Sequence, residues 1–500
     1  MLLLGIDVGT TGAKAAVFDE DGNLHGYGFE EYGVDTPAPG RAEQDAELVW
    51  GITKRVIAQA ARQSGPEIRA LSLSVQGDAV LPIDSERRAL APVQLGMDYR
   101  AVEESARCEE RYGSLRLFQL TGMRPHPLNS LLKILWIKNH RPELYEKAWK
   151  FVTYADFLLA KLGSDEIVID FSMASRTMAW DLKGQKWSRE ILDGLGIPEQ
   201  KLAKPVPSGT AVGTVPEALA EELGIRAGAL IVAGGHDQTC AALGAGITGE
   251  NLALDSHGTA EVVSAAFREP RLDETMFRSY YPCYLHTVPG MYFTFALNHT
   301  GGILLKWFVE NFCQNDRAAA EQAGFRLYEY VLHMAKEGPS PLMVLPYFNG
   351  RSTPICDLQA KGAILGLTLS STRYDIAKAI LESLSFEMRV NLETLRSAGV
   401  GITGLRCVGG GARSPIGLQN KADITGLPVS TLKVREAACL GAAILAASAA
   451  GACGSVREGA EIVATARTYY PDPAASRLYE DRYCIYAGLY DRMKTILHQF

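Results

Sequence analysis

The sequence has few features of a secreted or metal-binding protein. Its nine cysteines contain no CxxC pair, and its nine histidines contain no HxxH or HExxH pair. Cysteines scattered in this way exclude a disulfide scaffold and a typical zinc site, and they favour a reducing cytosol. No block of basic residues is present, and 50 Lys and Arg are outnumbered by 57 Asp and Glu. We therefore expect a cytoplasmic location and no nucleic acid as the main ligand.

The sequence also lacks a cationic leader and a long apolar span. Asp7 interrupts the apolar run of the N-terminus, which therefore predicts a first strand rather than a signal peptide. The longest uncharged stretch, residues 437–456, is rich in Ala and Gly and too weakly apolar to cross a bilayer. This stretch favours a buried helix, and we expect no membrane contact.

The Walker phosphate-binding loop, GxxxxGK[ST], is absent as well. Hydrophobic residues make up 47% of the chain and charged residues 21%, which is ordinary for a globular protein. With 500 residues, the chain is long enough for roughly two to four domains, each with its own core. Because the Walker loop is absent, a nucleotide, if bound, must be held by other loops.

The first candidate for such a loop lies between two apolar runs at residues 2–6 and 13–18, which predict the strands of a hairpin. The loop runs from Asp7 to Gly12. Gly9 lets the backbone approach a phosphate, and Thr10 and Thr11 can donate hydrogen bonds to phosphate oxygens. Asp7 can hold a divalent cation, and Lys14 can add a positive charge. A tight hairpin with an incidental acid is the alternative interpretation.

A similar pattern opens the second half of the chain. Asp255 follows an apolar run and precedes Gly258-Thr259 and a further apolar run, with one extra residue between acid and glycine. We interpret this as one structural unit used twice, with chance similarity as the alternative. Two hairpins facing each other would clamp a polyphosphate. Since Lys14 is the only cation inside either loop, the polyphosphate would need a divalent ion.

Two further segments carry chemistry. Gly409 to Gly411 stand between a predicted strand and a predicted helix over residues 415–424, where bare backbone can accept a flat ring or a phosphate. Asp237 follows a buried strand that ends in glycines, so its carboxylate can take a proton from a hydroxyl, and Gln238 can bond a neighbouring hydroxyl. A packing turn is the alternative for the glycines, and a helix cap is the alternative for Asp237.

Taken together, these segments resemble the FGGY carbohydrate kinase family of the sugar kinase–Hsp70–actin superfamily, over nearly the whole chain. The most specific match is residues 362–382, which fit the family's C-terminal signature throughout. The first signature is met only in part, at residues 133–137. Other matching passages are residues 345–354, 410–412, 419–423, 426–429 and 436–443.

The resemblance implies an α/β protein with two RNase H-like, actin-like ATPase domains, residues 1–246 and 247–500, flanking a cleft. It assigns Asp237 as the catalytic base, and Asp7 with Asp237 as the acids that hold Mg²⁺. The expected ATP contacts are Thr10, Thr11, Lys14, Gly258, Thr259, Gly302, Gly410, Gly411 and Ala412. The expected sugar contacts are Gln76, Gly77, Asp78, Asp98, Arg100 and Gln238.

The sugar loops depart from the better-known members of the family. Xylulose kinases usually carry Met-His-Gly across positions 77–79 and glycerol kinases Arg-Glu at 77–78, whereas this chain has Gly77-Asp78. Asp98 and Arg100 keep part of a Trp-x-Asp-x-Arg pattern, but Gly96 replaces the Trp. Losing an indole reshapes the pocket, while Asp78 and Asp98 supply acceptors for hydroxyls.

The expected function is ATP-dependent phosphorylation of a small sugar, with a ketopentose such as xylulose favoured by family frequency alone. A glycerol- or erythritol-type polyol and a deoxyketose are the alternatives within the family. A sugar-independent ATPase and a non-catalytic sugar sensor are more remote, because neither needs both a base and acidic sugar loops. The resemblance leaves a homodimer open.

Overall fold

The structure, a computed structural model, describes residues 1–500. In chain order, the strands are β1 (Leu2–Val8), β2 (Gly12–Phe18), β3 (Leu24–Glu31), β4 (Glu43–Gln44), β5 (Ile68–Val75), β6 (Leu81–Ile83), β7 (Val93–Gln94), β8 (Lys150–Val152), β9 (Val168–Asp170), β10 (Trp180–Asp181), β11 (Lys186–Trp187), β12 (Lys204–Val206), β13 (Ala211–Thr214), β14 (Leu230–His236), β15 (Asn251–His257), β16 (Glu261–Phe267), β17 (Tyr284–Leu285), β18 (Tyr292–Asn298), β19 (Met343–Leu345), β20 (Ala363–Leu365), β21 (Ile402–Val408), β22 (Val429–Leu432) and β23 (Thr465–Tyr469).

The helices are α1 (Ala46–Ser64), α2 (Val102–Tyr112), α3 (Ser114–Thr121), α4 (Ser130–His140), α5 (Pro142–Lys147), α6 (Tyr154–Leu162), α7 (Phe171–Ala174), α8 (Arg189–Leu195), α9 (Glu217–Leu223), α10 (Asp237–Gly244), α11 (Glu274–Arg278), α12 (Gly302–Phe312), α13 (Arg317–Gln322), α14 (Leu327–His333), α15 (Arg373–Ser397), α16 (Pro415–Thr425), α17 (Ala437–Ala449), α18 (Val456–Gly459), α19 (Pro473–Ala487) and α20 (Leu489–Leu497). None of them combines the length and the apolar character that crossing a bilayer requires.

A six-stranded sheet organises the first half, in the order β13-β14-β5-β1-β2-β3. β1, β2 and β3 are antiparallel neighbours, whereas β5 and β14 continue the sheet parallel to β1. The buried apolar residues of β1, β5 and β14 form its core. Because β1, β5 and β14 run in parallel, their carboxyl ends meet at one edge, where Asp7, Gln76 and Asp237 follow one another.

A seven-stranded sheet organises the second half, in the order β17-β18-β16-β15-β21-β22-β23. β15 pairs antiparallel with β16 and parallel with β21, as β1 does with β2 and β5. β22 continues the sheet parallel to β21, as β14 continues the first sheet beyond β5. The two sheets therefore repeat one arrangement of strands, with Asp7 and Asp255 near the ends of the corresponding strands β1 and β15.

Helices α10 and α17 join the two halves by crossing each other closely. A Cβ on Gly244 would overlap the Ala437 carbonyl, and a Cβ on Gly441 would overlap the Cys240 carbonyl. α17, the buried helix expected from the uncharged stretch, also packs against the first sheet, where Gly5 leaves room for the Cys439 carbonyl. Glycine is needed at this crossing because any side chain would push the helices apart.

One segment of the second half is attached to the first half. The Cys283 N–H donates to the Gly122 carbonyl (2.9 Å), and the Leu285 N–H donates to Ser175 Oγ (3.0 Å). The Arg124 guanidinium lies about 4 Å from the ring centroids of both Phe277 and Tyr280. Strand β17 is therefore held beside the first half although it belongs to the second sheet.

Candidate active site

The first hairpin joins β1 to β2 and holds Asp7 near the end of β1. The Gly9 N–H donates to the Gly12 carbonyl (3.0 Å), which closes the turn. Asp7 Oδ1 accepts a hydrogen bond from Ser74 Oγ of β5 (2.7 Å). Burial raises the pKa of Asp7, although Ser74 and Lys14 oppose this shift. Asp7 Oδ2 accepts no hydrogen bond from the protein, so one oxygen is free for a ligand.

Lys14 lies opposite Asp7 on β2, but its ammonium group already has a partner. Nζ donates to Glu436 Oε2 (2.8 Å), and Glu436 immediately precedes α17 in the second half. Both side chains are partly exposed. Lys14, the cation predicted to contact ATP, is therefore in an ion pair that connects the two halves. A phosphate that binds Lys14 must share its ammonium group with Glu436 or displace Glu436.

Gln76 lies beneath this hairpin rather than presenting a free amide. Its Nε2 donates to the Gly9 carbonyl and its Oε1 accepts from Thr10 Oγ1, each at 3.1 Å. Gln76 is buried, whereas Thr11 is exposed on the turn. Since both ends of the Gln76 amide support the turn, the structure does not bring it forward as a free sugar ligand.

Asp237 is the first residue of α10, directly after β14. Its Oδ1 accepts from the Gln238 N–H (2.6 Å) and lies 3.0 Å from His236 Nε2. His236 Nδ1 in turn lies 3.2 Å from the Tyr284 hydroxyl of β17. Asp237 Oδ2 accepts no hydrogen bond from the protein, and 34% of the side chain is exposed. Asp237 therefore bonds the first turn of α10 through Oδ1 alone, and Oδ2 remains available as a proton acceptor.

The environment of Asp237 suits a base that works near neutral pH. Burial raises its pKa to about 7, and the carboxylates of Asp7 and Asp78 add to this shift, while the Gln238 N–H and Arg176 oppose it. Burial and Arg176 hold the pKa of His236 well below its usual value. A neutral imidazole therefore stands beside the carboxylate, and a base with a pKa near 7 combines ionisation with proton affinity.

Sequence reasoning missed Arg176, which the structure brings to the same site. Its guanidinium pairs with Asp78 Oδ2 and lies 5.0 Å from the ring centroid of Tyr284 and 5.6 Å from that of Phe295. Arg176 and Asp78 are both almost fully buried. The only signal in the sequence is that Arg176 is the one charged residue in residues 171–180.

Gly77 packs beside this pair, because a Cβ there would lie 2.8 Å from His236 Nε2 and 2.9 Å from Arg176 Nε. Gln238 is also close to the base, and its Oε1 is buried without a hydrogen-bond partner. The structure therefore gathers the predicted sugar contacts Gly77, Asp78 and Gln238 around Asp237.

Asp98 and Arg100, also predicted to contact the sugar, are bonded within the protein. Asp98 Oδ2 accepts from the Ala42 N–H (2.8 Å), and Oδ1 accepts from Arg100 Nε (2.8 Å). Arg100 Nη2 also contacts Glu43, and the guanidinium lies 5.0 Å from the ring centroid of Trp136. Because the Asp98 carboxylate is fully buried and both oxygens are used, it fixes the loop rather than offering a free acceptor.

The second hairpin borders a cavity of about 330 Å³ between α12 and α16. The Gly302 N–H donates to the Gly258 carbonyl and the Gly301 N–H to the Thr259 carbonyl, each at 2.9 Å. A Cβ on Gly411 would overlap the His257 ring, so only glycine fits there. The cavity walls include four of the predicted nucleotide contacts, Gly258, Gly302, Gly410 and Gly411. Thr259 is exposed on the same hairpin.

A neighbouring cavity of about 640 Å³ lies where the two halves meet, and it contains more cations than the sequence predicts. Lys14 lines it together with Gly410 and Ala412. Arg326, Arg413 and Arg435 line the same cavity, and Glu436 is its only acid. Lys14 is still the only cation within the two hairpins, but the fold brings three arginines from other segments to the same cavity.

Asp255, His257 and Glu261 lie close enough to resemble a metal site, but an ammonium group fills its centre. Lys421 Nζ contacts Asp255 Oδ2 and donates to Glu261 Oε1 (2.8 Å), and it lies 3.3 Å from His257 Nδ1. All four side chains are buried. Lys421 and His257 hold the pKa of Glu261 at about 2, against the effect of burial. The second hairpin thus carries a fully buried ion pair, in which Asp255 Oδ1 is enclosed without a hydrogen bond, whereas Asp7 of the first hairpin is half-buried and has no cation bonded to its carboxylate.

Comparison with known proteins gives the same picture over the whole chain. The N-terminal domain of the FGGY family of carbohydrate kinases matches residues 2–244, and the C-terminal domain of that family matches residues 253–450. A xylulose kinase of Staphylococcus epidermidis is 28% identical over 99% of this chain and 97% of its own. A gluconokinase of Bacillus subtilis is 28% identical over 97% of this chain and 95% of its own.

The fold is shared with solved structures. The xylulose kinase of Lactobacillus acidophilus superimposes with a TM-score of 0.90 over 100% of this chain and 99% of its own, at 24% sequence identity. The mixed α/β architecture with two sheets flanking a cleft is therefore confirmed as that of these kinases. The chain belongs to the FGGY family of carbohydrate kinases.

Proposed function

We propose that this kinase transfers the terminal phosphoryl group of ATP to a hydroxyl of a small sugar, with Asp237 as the base. The observation that carries the proposal is the Asp237 carboxylate: Oδ1 is held by Gln238 and His236, while Oδ2 is free and partly exposed. Phosphoryl transfer depends mostly on positioning and charge stabilisation, so one oriented carboxylate that accepts the hydroxyl proton is sufficient.

In this proposal the nucleoside occupies the cavity between α12 and α16, and the phosphates extend toward the two hairpins. Backbone N–H groups and arginine side chains are suited to phosphate oxygens because both carry positive partial or full charge. The residues that would contact ATP are Thr10, Thr11, Lys14, Gly258, Thr259, Gly302, Gly410, Gly411 and Ala412, with Arg326, Arg413 and Arg435 at the phosphate cavity.

Asp7 and Asp237 are suited to Mg²⁺. Each has one carboxylate oxygen, Oδ2, without a protein hydrogen bond, and carboxylates are hard oxygen ligands. When bound there, Mg²⁺ would neutralise charge on the transferred phosphoryl group. Asp7 Oδ2 would be the direct ligand of the ion, and Asp237, whose Oδ2 receives the hydroxyl proton, would contribute its negative charge beside it.

For the acceptor we propose xylulose first, because a relative that matches over its full length is a xylulose kinase. The similarity to the Bacillus subtilis gluconokinase makes gluconate a second candidate acceptor. A polyol or a deoxyketose remains an alternative within the family. Gly77, Asp78 and Gln238 would bind the sugar hydroxyls, with Asp98 and Arg100 fixing the adjacent loop.

We also propose two domains, residues 1–246 and 247–500, in the cytoplasm. The separate sheets support the division, although the segment that contains Cys283 and Leu285 bonds to the first half. All nine cysteines are free, which is typical of a reducing compartment.

A panel experiment tests the proposed function. ADP release is measured with ATP and Mg²⁺, without sugar and with xylulose, ribulose, glycerol, erythritol or gluconate. We expect release that depends on a sugar or polyol and is fastest with a ketopentose. Equal release with and without sugars would identify an ATPase, and no release with any of them would identify a sensor; either result contradicts the proposal.

A further inference from the structure

Arg176 and Asp78 form a buried polar pair beside the proposed base. The Arg176 side chain is 7% exposed and that of Asp78 is 8% exposed. Their contact joins Asp78 Oδ2 to one nitrogen of the guanidinium, Nη2. Each side chain therefore keeps further hydrogen-bonding groups for another partner.

These remaining groups have no partner in the protein. Arg176 Nε and Nη1, Asp78 Oδ1 and Gln238 Oε1 are buried polar atoms without a hydrogen bond. A buried donor or acceptor that stays unpaired is destabilising, so four such atoms near Asp237 indicate a ligand that pairs with them. The set offers both donors and acceptors, which suits hydroxyl groups because each hydroxyl can donate and accept.

The pair is also held in place before any ligand binds. The guanidinium lies near the rings of Tyr284 and Phe295, which restricts its plane. Lys133 Nζ donates to the Asp78 carbonyl (2.7 Å), which holds the backbone of Asp78 in place. A preorganised pair loses little conformational entropy on binding.

The charges around the site are unfavourable for an anion. Asp7 and Asp78 both add negative charge at Asp237, and Arg176, which pairs with Asp78, is the cation that opposes them there. Lys133, farther inside, is bonded to backbone carbonyls. Because Arg176 is already paired with Asp78, a carboxylate on the sugar would meet an excess of negative charge whenever no cation is bound at Asp7 and Asp237.

We propose that Arg176 and Asp78 clamp two neighbouring hydroxyls of an uncharged sugar or polyol, and that the site disfavours sugar acids. Arg176 donates to one hydroxyl oxygen, and Asp78 Oδ1 accepts from the other. This inference rests on the proposed function, and it excludes an aldonate such as gluconate as the preferred acceptor.

Calorimetric titration of the whole protein tests the substrate class without turnover. The probes are matched pairs that differ only in CH₂OH against carboxylate: xylitol with xylonate, and glucitol with gluconate, together with xylulose. We expect the uncharged member of at least one pair to bind at least about tenfold more tightly than its acid. Equal or tighter binding of both acids would overturn the inference, as would absence of binding by every uncharged probe.

The Arg176→Lys variant tests the clamp itself. Lysine keeps the charge but loses the planar fork, so the sugar Kd should rise at least about tenfold while the Kd of ADP changes less than about twofold. Arg351→Lys is the matched control, because Arg351 is equally buried and lies over the rings of Tyr347 and Tyr490, away from Asp237. An unchanged sugar Kd in Arg176→Lys that still binds ADP would overturn the inference.

A second measurement uses the natural chain and so does not depend on the folding of a variant. Deoxy analogues of the tightest probe, each lacking one hydroxyl, should include two with neighbouring positions whose loss weakens binding at least about tenfold. Uniformly small losses would contradict the clamp. Parallel ADP-release assays separate the two proposals, because preferred turnover of gluconate overturns only this inference, whereas sugar binding without ADP release overturns only the proposed function.

Discussion

The two hairpins occupy corresponding places in the two sheets, yet their aspartates are used differently. Asp7 and Asp255 both lie near the end of a strand that pairs antiparallel with the next strand and parallel with a later one. Asp7 is half-buried and no cation is bonded to its carboxylate, whereas Asp255 is fully buried and paired with Lys421. One backbone arrangement thus supports an open acidic site in the first half and a neutralised one in the second.

The neighbouring residues explain the difference. On the antiparallel partner strand, Lys14 lies opposite Asp7 and Val263 lies opposite Asp255. On the parallel partner strand, Ser74 lies beside Asp7 and Cys407 beside Asp255. Neither residue paired with Asp255 in the sheet is a cation, and Lys421 of α16 supplies the positive charge. The charge on a repeated acid is therefore decided by its surroundings and not by the hairpin.

The largest effect is expected for Lys421→Met, compared with Lys14→Met. Removing Lys421 leaves two buried carboxylates without their cation, which should lower the free energy of unfolding by about 3–5 kcal/mol. Lys14 and Glu436 are partly exposed, so Lys14→Met should cost less than about 1 kcal/mol. Chemical denaturation of both variants measures the difference. A similar decrease in the free energy of unfolding in both variants would contradict the expected difference between a buried and a partly exposed ion pair.

The next effect concerns Asp237, the first residue of α10, and Glu436, which immediately precedes the corresponding helix α17. Asp237→Asn keeps the shape but removes the proton acceptor, so turnover should fall on the order of a hundredfold or more while sugar binding changes much less. Glu436→Gln is the matched change in the second half and should lower turnover less than about tenfold, because it removes only the exposed partner of Lys14. Steady-state kinetics with the best sugar measure both. Near-normal turnover in Asp237→Asn would show that another group is the base.

A smaller effect distinguishes the hairpin aspartates directly. Asp7→Ala should raise the Mg²⁺ concentration needed for half-maximal rate severalfold, because it removes one carboxylate from the metal site. Asp255→Asn should leave the Mg²⁺ requirement unchanged, since Lys421 already occupies the space between its neighbours. Rates measured over a range of Mg²⁺ concentrations give both values. Indistinguishable curves for Asp7→Ala and the natural chain would remove this role from Asp7.

The smallest effect is a change in shape. The base and the first hairpin lie in the first half and the nucleotide cavity in the second, so transfer and exclusion of water require the halves to approach each other. We expect the radius of gyration to decrease slightly on saturation with sugar and a non-hydrolysable ATP analogue. Residues 244–249, with three glycines among six residues, are the expected hinge. Small-angle scattering measures this, and an unchanged radius with both ligands bound would contradict an open resting state.

Several features were predictable from short stretches of sequence. Asp7 with its Gly-Thr turn, the buried strand before Asp237, and Gly411 at a strand-to-helix turn each follow from local rules. Apolar alternation predicts strands, and glycine permits close backbone approach. The buried helix α17 follows equally from an uncharged, Ala-rich stretch. These predictions depend on residues only a few positions apart, which is why no knowledge of the sheet order was needed.

Other features were decided by the tertiary structure alone. The contact of Arg176 with Asp78 spans 98 residues, that of Tyr284 with His236 spans 48, and that of Lys421 with Asp255 spans 166. Local propensity says nothing about such pairs, because the order of strands and the packing of helices bring them together. The same packing gave Asp98 its internal partners and placed three arginines beside the phosphate cavity. The sequence by itself thus predicted which loops would bind phosphate and sugar. The tertiary structure determined which side chains there stay free, because a buried charge takes whichever partner lies beside it.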